Sequence, residues 1–166
     1  MKAHLILLAI LILSCNGQDK EAFVAPQNAV QLISGDSTKT WKLAKRFNDG
    51  HRMNMGDCFL SYRVTYSKEM TMSDNNAQNA NCGDSLEANW TLITNESGSF
   101  IKLTGQKISE LLNIDEDYKY FRINALSKDT LVLQFKHMQF SSNSTIIIDY
   151  LVPENALVKD RDFHNK

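Results

Sequence analysis

Cys58-Phe59-Leu60-Ser61-Tyr62-Arg63-Val64-Thr65-Tyr66 is the stretch on which the fold turns. Leu60, Tyr62, Val64 and Tyr66 are apolar or aromatic, and from Ser61 onward the residues between them are polar. Successive side chains of a strand point to opposite faces, so this alternation predicts a β-strand with one face in a core and the other in water. Ser67-Lys68-Glu69 then supplies a turn and Met70-Thr71-Met72 resumes the pattern, which makes the pair a hairpin. Similar signals follow at Ala88-Asn89-Trp90-Thr91-Leu92, Phe100-Ile101-Lys102-Leu103, Tyr120-Phe121-Arg122-Ile123, Leu131-Val132-Leu133-Gln134-Phe135 and Ile146-Ile147-Ile148-Asp149-Tyr150, and one precedes them at Trp41-Lys42-Leu43. Thr94-Asn95-Glu96-Ser97-Gly98, Asp115-Glu116-Asp117, Ser127-Lys128-Asp129 and Ser141-Ser142-Asn143 supply turn chemistry between them.

Around these strands there is little helix. Ala29, Val30, Leu32 and Ile33 have helical spacing, with Gly35 as a stop, so one short helix precedes the strands. Residues 74–84, rich in Asn, read as an exposed loop. Ile108, Leu111 and Leu112, within residues 106–114, suit a helical turn or two as well as a strand, and that segment stays open. About eight strands at short intervals favour an all-β antiparallel meander over βαβ units. Closing it into an up-and-down barrel removes the exposed edges. A sandwich has the same strand count.

The 166 residues suit one domain. The balance of 18 basic and 19 acidic side chains gives no electrostatic reason for a nucleic-acid partner. Lys2 followed by an apolar run over residues 5–13 reads as an export leader, because a bilayer-spanning helix needs roughly 20 apolar residues. The run ends in Ile12-Leu13-Ser14-Cys15, which resembles the lipobox of bacterial lipoproteins. The resemblance implies removal of residues 1–14 and acylation at Cys15, and two or three acyl chains anchor a protein firmly. Residues 15–27 are then anchor and flexible tether, and residues 28–166 the folded domain. Asp19-Lys20-Glu21 resembles the short charged signal that sends some Bacteroidetes lipoproteins to the outer face of the outer membrane. A solvated linker is the other reading. The expected location is the cell envelope, lipid-anchored at the outer membrane, on its periplasmic or surface face.

Trp41-Lys42-Leu43 after a short helix, Asp57-Cys58 before a hairpin, a second cysteine at Cys82, Trp90-Thr91-Leu92 and the late Asp129-Thr130-Leu131-Val132-Leu133 segment together resemble the lipocalin-like domains of Bacteroidetes lipoproteins. The resemblance covers residues 32–152 and implies a lipocalin-like β-barrel.

Cys58 and Cys82 are the two thiols left once Cys15 carries lipid, and in an oxidising compartment a disulfide is the economical reading. A catalytic cysteine would need a histidine partner, and no family motif places one. His51, His137 and His164 lack metal-ligand spacing, so no metal and no cofactor is expected. His137 shares the apolar phase of Leu131, Leu133 and Phe135, and reads as an interior or rim histidine. The aromatics Trp41, Tyr62, Tyr66, Trp90, Phe121, Phe135 and Tyr150 read as barrel filling, or in part as the lining of a pocket at the mouth with Met70 and Met72 at its edge. The ligand-facing candidates are Tyr62, Val64, Tyr66, Trp90, Leu133 and Phe135. The expected function is non-enzymatic: a small hydrophobic or amphipathic ligand is bound, in a pocket open at one end. The alternative is a protein-interaction module, such as a lysozyme-inhibitor-like or toxin-immunity lipoprotein, that meets an envelope partner through its loops.

Overall fold

The computed structural model describes residues 21–138 and 144–162; Cys15 and the leader, and with them the expected lipid anchor, lie outside the described residues. In chain order the elements are α1 (Ala29–Ser34), β1 (Thr38–Asn48), β2 (His51–Arg52), α2 (Asp57–Ser61), β3 (Arg63–Ser67), β4 (Thr71–Asp74), β5 (Glu87–Asn95), β6 (Gly98–Thr104), α3 (Lys107–Leu112), β7 (Tyr118–Leu126), β8 (Leu131–Met138) and β9 (Ser144–Pro153). Apart from the two-residue β2, which folds back antiparallel on the end of β1 at Phe47 and Asn48, each strand pairs with the next in an antiparallel meander. β9 returns to β1, from Trp41 opposite Pro153 to Asn48 opposite Ile147, and closes eight strands into a barrel. The sandwich alternative is thereby excluded.

Up-and-down connectivity sorts the connections onto two ends. One end carries α1 and the β3–β4, β5–β6 and β7–β8 turns. The other carries α2, the long β4–β5 loop with its 3-10 turn at Asn76–Gln78, and α3.

Period-two alternation sends Trp41, Val64, Tyr66, Trp90, Ile101, Leu103, Ile123, Leu131, Leu133, Ile147 and Leu151 inward, and all are buried. Each such side chain contributes about 1.5–3 kcal/mol by leaving water. The two indoles fill the α1 end: Trp41 donates its N–H to the Ile33 carbonyl at 2.8 Å and Trp90 to the Ser67 carbonyl at 3.1 Å. Neither buried donor goes unsatisfied. Lys39 lies over the Trp41 ring at 3.9 Å and donates to the carbonyls of Leu32 and Lys128, fastening α1 to that end.

Three features depart from the alternation. Residues 57–61, expected in part as strand, form α2, and only residues 63–67 pair as β3. The segment begins after Gly56, where the chain turns in over the barrel end, and Phe59 and Leu60 pack on the core from there. Residues 107–112, left open by the sequence, are the helix α3, stopped by Asn113 in the left-handed conformation (φ 50°). Tyr150, expected as barrel filling, faces outward, its ring 5.7 Å from that of Phe47.

The segment ahead of α1 is partly docked. Ser99 donates its amide to the Phe23 carbonyl at 3.0 Å, and the Ala25 amide donates to the Ser99 hydroxyl at 2.8 Å. Phe23 is packed against the core. The chain therefore meets the barrel at the β5–β6 turn, on the α1 end.

Candidate functional site

At the opposite end the barrel is hollow. A cavity of about 600 Å³ lies between β3, β4, β8 and β9 and opens between α2, the β4–β5 loop and α3. That is the size of a site for one small molecule. Its walls include Tyr62, which caps α2, Val64 and Tyr66 of β3, Leu133 and Phe135 of β8, and Met72, Leu103, Phe121, Ile147 and Leu151. Five of the six ligand-facing candidates thus share one cavity. Trp90 does not line it: its ring stands edge-on to Tyr66 at 5.4 Å, in the filled half of the barrel. Met72 lines the cavity, whereas Met70 sits in the β3–β4 turn at the far end.

Cys58 and Cys82 are joined in a disulfide, Cα to Cα 5.3 Å, which ties α2 to the β4–β5 loop. Both line the mouth. The bridge closes a separation of 24 residues and stabilises the rim by roughly 3 kcal/mol in the chain-entropy account.

A polar wall was not legible in the sequence. Arg46 of β1 grips Asp149 of β9 with two hydrogen bonds of 2.6 Å, Nε to Oδ1 and Nη2 to Oδ2. Asp149 is only 6% exposed. The guanidinium also lies 4.5 Å from the centre of the Phe59 ring and 6.0 Å from that of Phe135. Burial disfavours its charge, but the hydrogen bonds and charge of Asp149 outweigh burial and hold its pKa above the ordinary value. A β-bulge places it there. Leu43 pairs with Leu151 and Lys45 with Tyr150, so Ala44 is an extra residue and the inward phase passes from Trp41 and Leu43 to Arg46. Unbroken alternation would have put Lys45 and Phe47 inside; instead Lys45 lies outside, 4.3 Å over the Tyr150 ring.

Tyr62 and Tyr66 complete that wall. Burial raises both phenol pKa values, with Asp74 the next cause for Tyr62 and Asp149 for Tyr66. Asp74 is pushed up by burial, against the hydrogen bonds of the Asn76 and Leu86 amides and the Ser85 hydroxyl. His137 also lines the cavity, and burial, then Lys119 and Arg46, lower its pKa so that it is neutral at pH 7. Asp149 shares a face with Ile147 and Leu151, but Ile146, Ile148 and Tyr150 on the other face are as apolar, so strand phase alone gave no sign that Asp149 points in.

The chain is similar in structure to a lipocalin-like protein. A solved structure of a lipocalin-like protein from Bacteroides uniformis overlays 73% of this chain and 97% of that chain, with a TM-score of 0.48 and 13% sequence identity. No family model matches the sequence, and no curated protein matches it.

Proposed function

We propose that this chain is a lipid-anchored envelope protein that binds one small amphipathic molecule in the open half of its barrel, without catalysing a reaction. The observation that carries the binding reading is the cavity itself: an apolar chamber of about 600 Å³ with a polar wall, open at one end, in a barrel whose other end is solid. A loop-based interaction module needs no such void, and filling it with larger side chains would stabilise the fold. Both thiols that could have served as nucleophiles are spent on the disulfide, which supports binding over catalysis. The anchor rests on the sequence alone, on the apolar run over residues 5–13 and the lipobox-like Ile12-Leu13-Ser14-Cys15 at its end.

Fluorescence titration with the neutral apolar probe N-phenyl-1-naphthylamine tests the binding reading. Binding at micromolar affinity or weaker is expected, a Kd of 1 μM being about −8 kcal/mol. Leu133→Trp, which narrows the chamber, should reduce it, and Glu96→Ala at the far turn should not. Absence of binding by the folded wild-type protein, together with capture of an envelope protein through residues 74–84, would replace this reading with the interaction module. Cys15→Ala should abolish fatty-acid labelling and membrane retention if the anchor is real.

A further inference from the structure

We infer that the cavity is built for a cationic amphiphile, a molecule with an apolar tail and a protonated amine, rather than for a fatty acid or another anion; this rests on the binding reading above. Four carboxylates line the chamber and its mouth, Asp74, Asp84, Glu110 and Asp149, against the single guanidinium of Arg46. Arg46 is already committed: Asp149 takes two of its N–H groups and Phe59 covers its face. An anionic head would have to displace Asp149 from a bidentate pair and leave that buried carboxylate without a partner, which is costly. His137 supplies no compensating charge at neutral pH. Lys119, the other cation facing His137, donates to the Lys136 carbonyl at 2.7 Å and is not part of the lining.

A second observation shows where a polar head can bind. Tyr66 is 2% exposed and lines the chamber, yet among the described residues neither its hydroxyl nor that of Tyr62 hydrogen-bonds a protein group. A phenol oxygen that faces the chamber accepts the N–H of an ammonium, and the surrounding carboxylates with Arg46 already committed set the sign of the head it meets. Exposed Asp84 and Glu110 at the rim would draw the cation in. Asp74 and the hydroxyls of Tyr62 and Tyr66 would hold its head, and Val64, Leu133 and Phe135 its tail.

The test compares three ligands of one chain length, decylamine, decanol and decanoate, by calorimetry on the folded, disulfide-intact domain at pH 7. Decylamine should bind about tenfold more tightly than decanol, and decanoate more weakly than either. Asp84→Asn with Glu110→Gln, both at exposed positions, should bring decylamine to within about threefold of decanol when the two are compared on the same doubly substituted protein. Tyr66→Phe should weaken decylamine more than decanol. Decanoate binding as tightly as decylamine, or decylamine binding no more tightly than decanol, overturns the cationic assignment while the binding reading stands. If none of the three binds, both fall together.

Discussion

At the scale of single residues, the Arg46–Asp149 pair decides most. Taking two charges out of water costs several kcal/mol per ion, and the geometry here recovers it through two short hydrogen bonds and ring contacts. Asp149→Leu, which strands the guanidinium, should therefore lower stability by about 3–5 kcal/mol. Arg46→Met combined with Asp149→Leu should cost far less, or even stabilise, because no uncompensated charge remains. Urea denaturation of the three proteins checks this: a double variant as unstable as the single one would mean that the pair does more than neutralise itself. His137 yields a second expectation. Its pKa lies below the ordinary 6.5 because burial, Lys119 and Arg46 oppose its protonation. Below that pH the unfolded chain takes up the proton more readily than the folded one, so stability falls as the solution becomes more acid and is regained on returning to neutrality. His137→Gln, unable to titrate in either state, should flatten that part of the profile of melting temperature against pH.

Elements show why some of this was legible in the sequence and some was not. Strand β3 announced itself because Tyr62, just ahead of it, Val64 and Tyr66 keep one phase against polar neighbours, and β8 because Leu133 and Phe135 flank Gln134 in the same phase as Leu131. Five of the cavity-lining residues follow from that, whereas closure, which a sandwich of the same strand count would lack, is shown by the pairing of β1 with β9. Arg46 could not be placed, because a bulge at Ala44 reverses the phase of β1 halfway along, and pairing with β9 reveals the bulge where composition does not. α2 was hidden because Cys58, Leu60 and Tyr62 continue the alternation of β3 across a helical turn. The turn between β5 and β6 offers a direct measurement. Gly98 has φ +122°, and a Cβ there would stand 3.2 Å from the Phe23 carbonyl oxygen. Gly98→Ala should therefore strain the turn and displace residues 23–25, at a cost on the order of 1–3 kcal/mol. Hydrogen exchange should report it as faster exchange at the Ser99 and Ala25 amides; unchanged protection would mean the segment is held elsewhere. Cys58→Ser with Cys82→Ser should lower stability by roughly 3 kcal/mol and loosen the rim without opening the α1 end.

For the whole molecule, the arrangement of ends sets how the domain would sit once anchored. Phe23 to Ala25 dock at the β5–β6 turn, on the α1 end, whereas the cavity opens at the other. Seven residues, 16–22, separate Cys15 from Phe23, a reach of roughly 25 Å even when fully extended. A lipid on Cys15 would therefore hold the solid end toward the bilayer and turn the mouth, with Asp84 and Glu110, to the aqueous side. The ligand would then be exchanged with water rather than drawn directly from the membrane. A fluorophore attached at Glu96, in the β5–β6 turn, should be quenched by a lipid carrying a headgroup quencher when the acylated protein is placed in vesicles. One attached at Asp84 should be quenched less, and more readily by a water-soluble quencher. Equal quenching of the two sites by the lipid would show that the short connection does not orient the barrel, and stronger quenching at Asp84 would mean that the mouth meets the membrane.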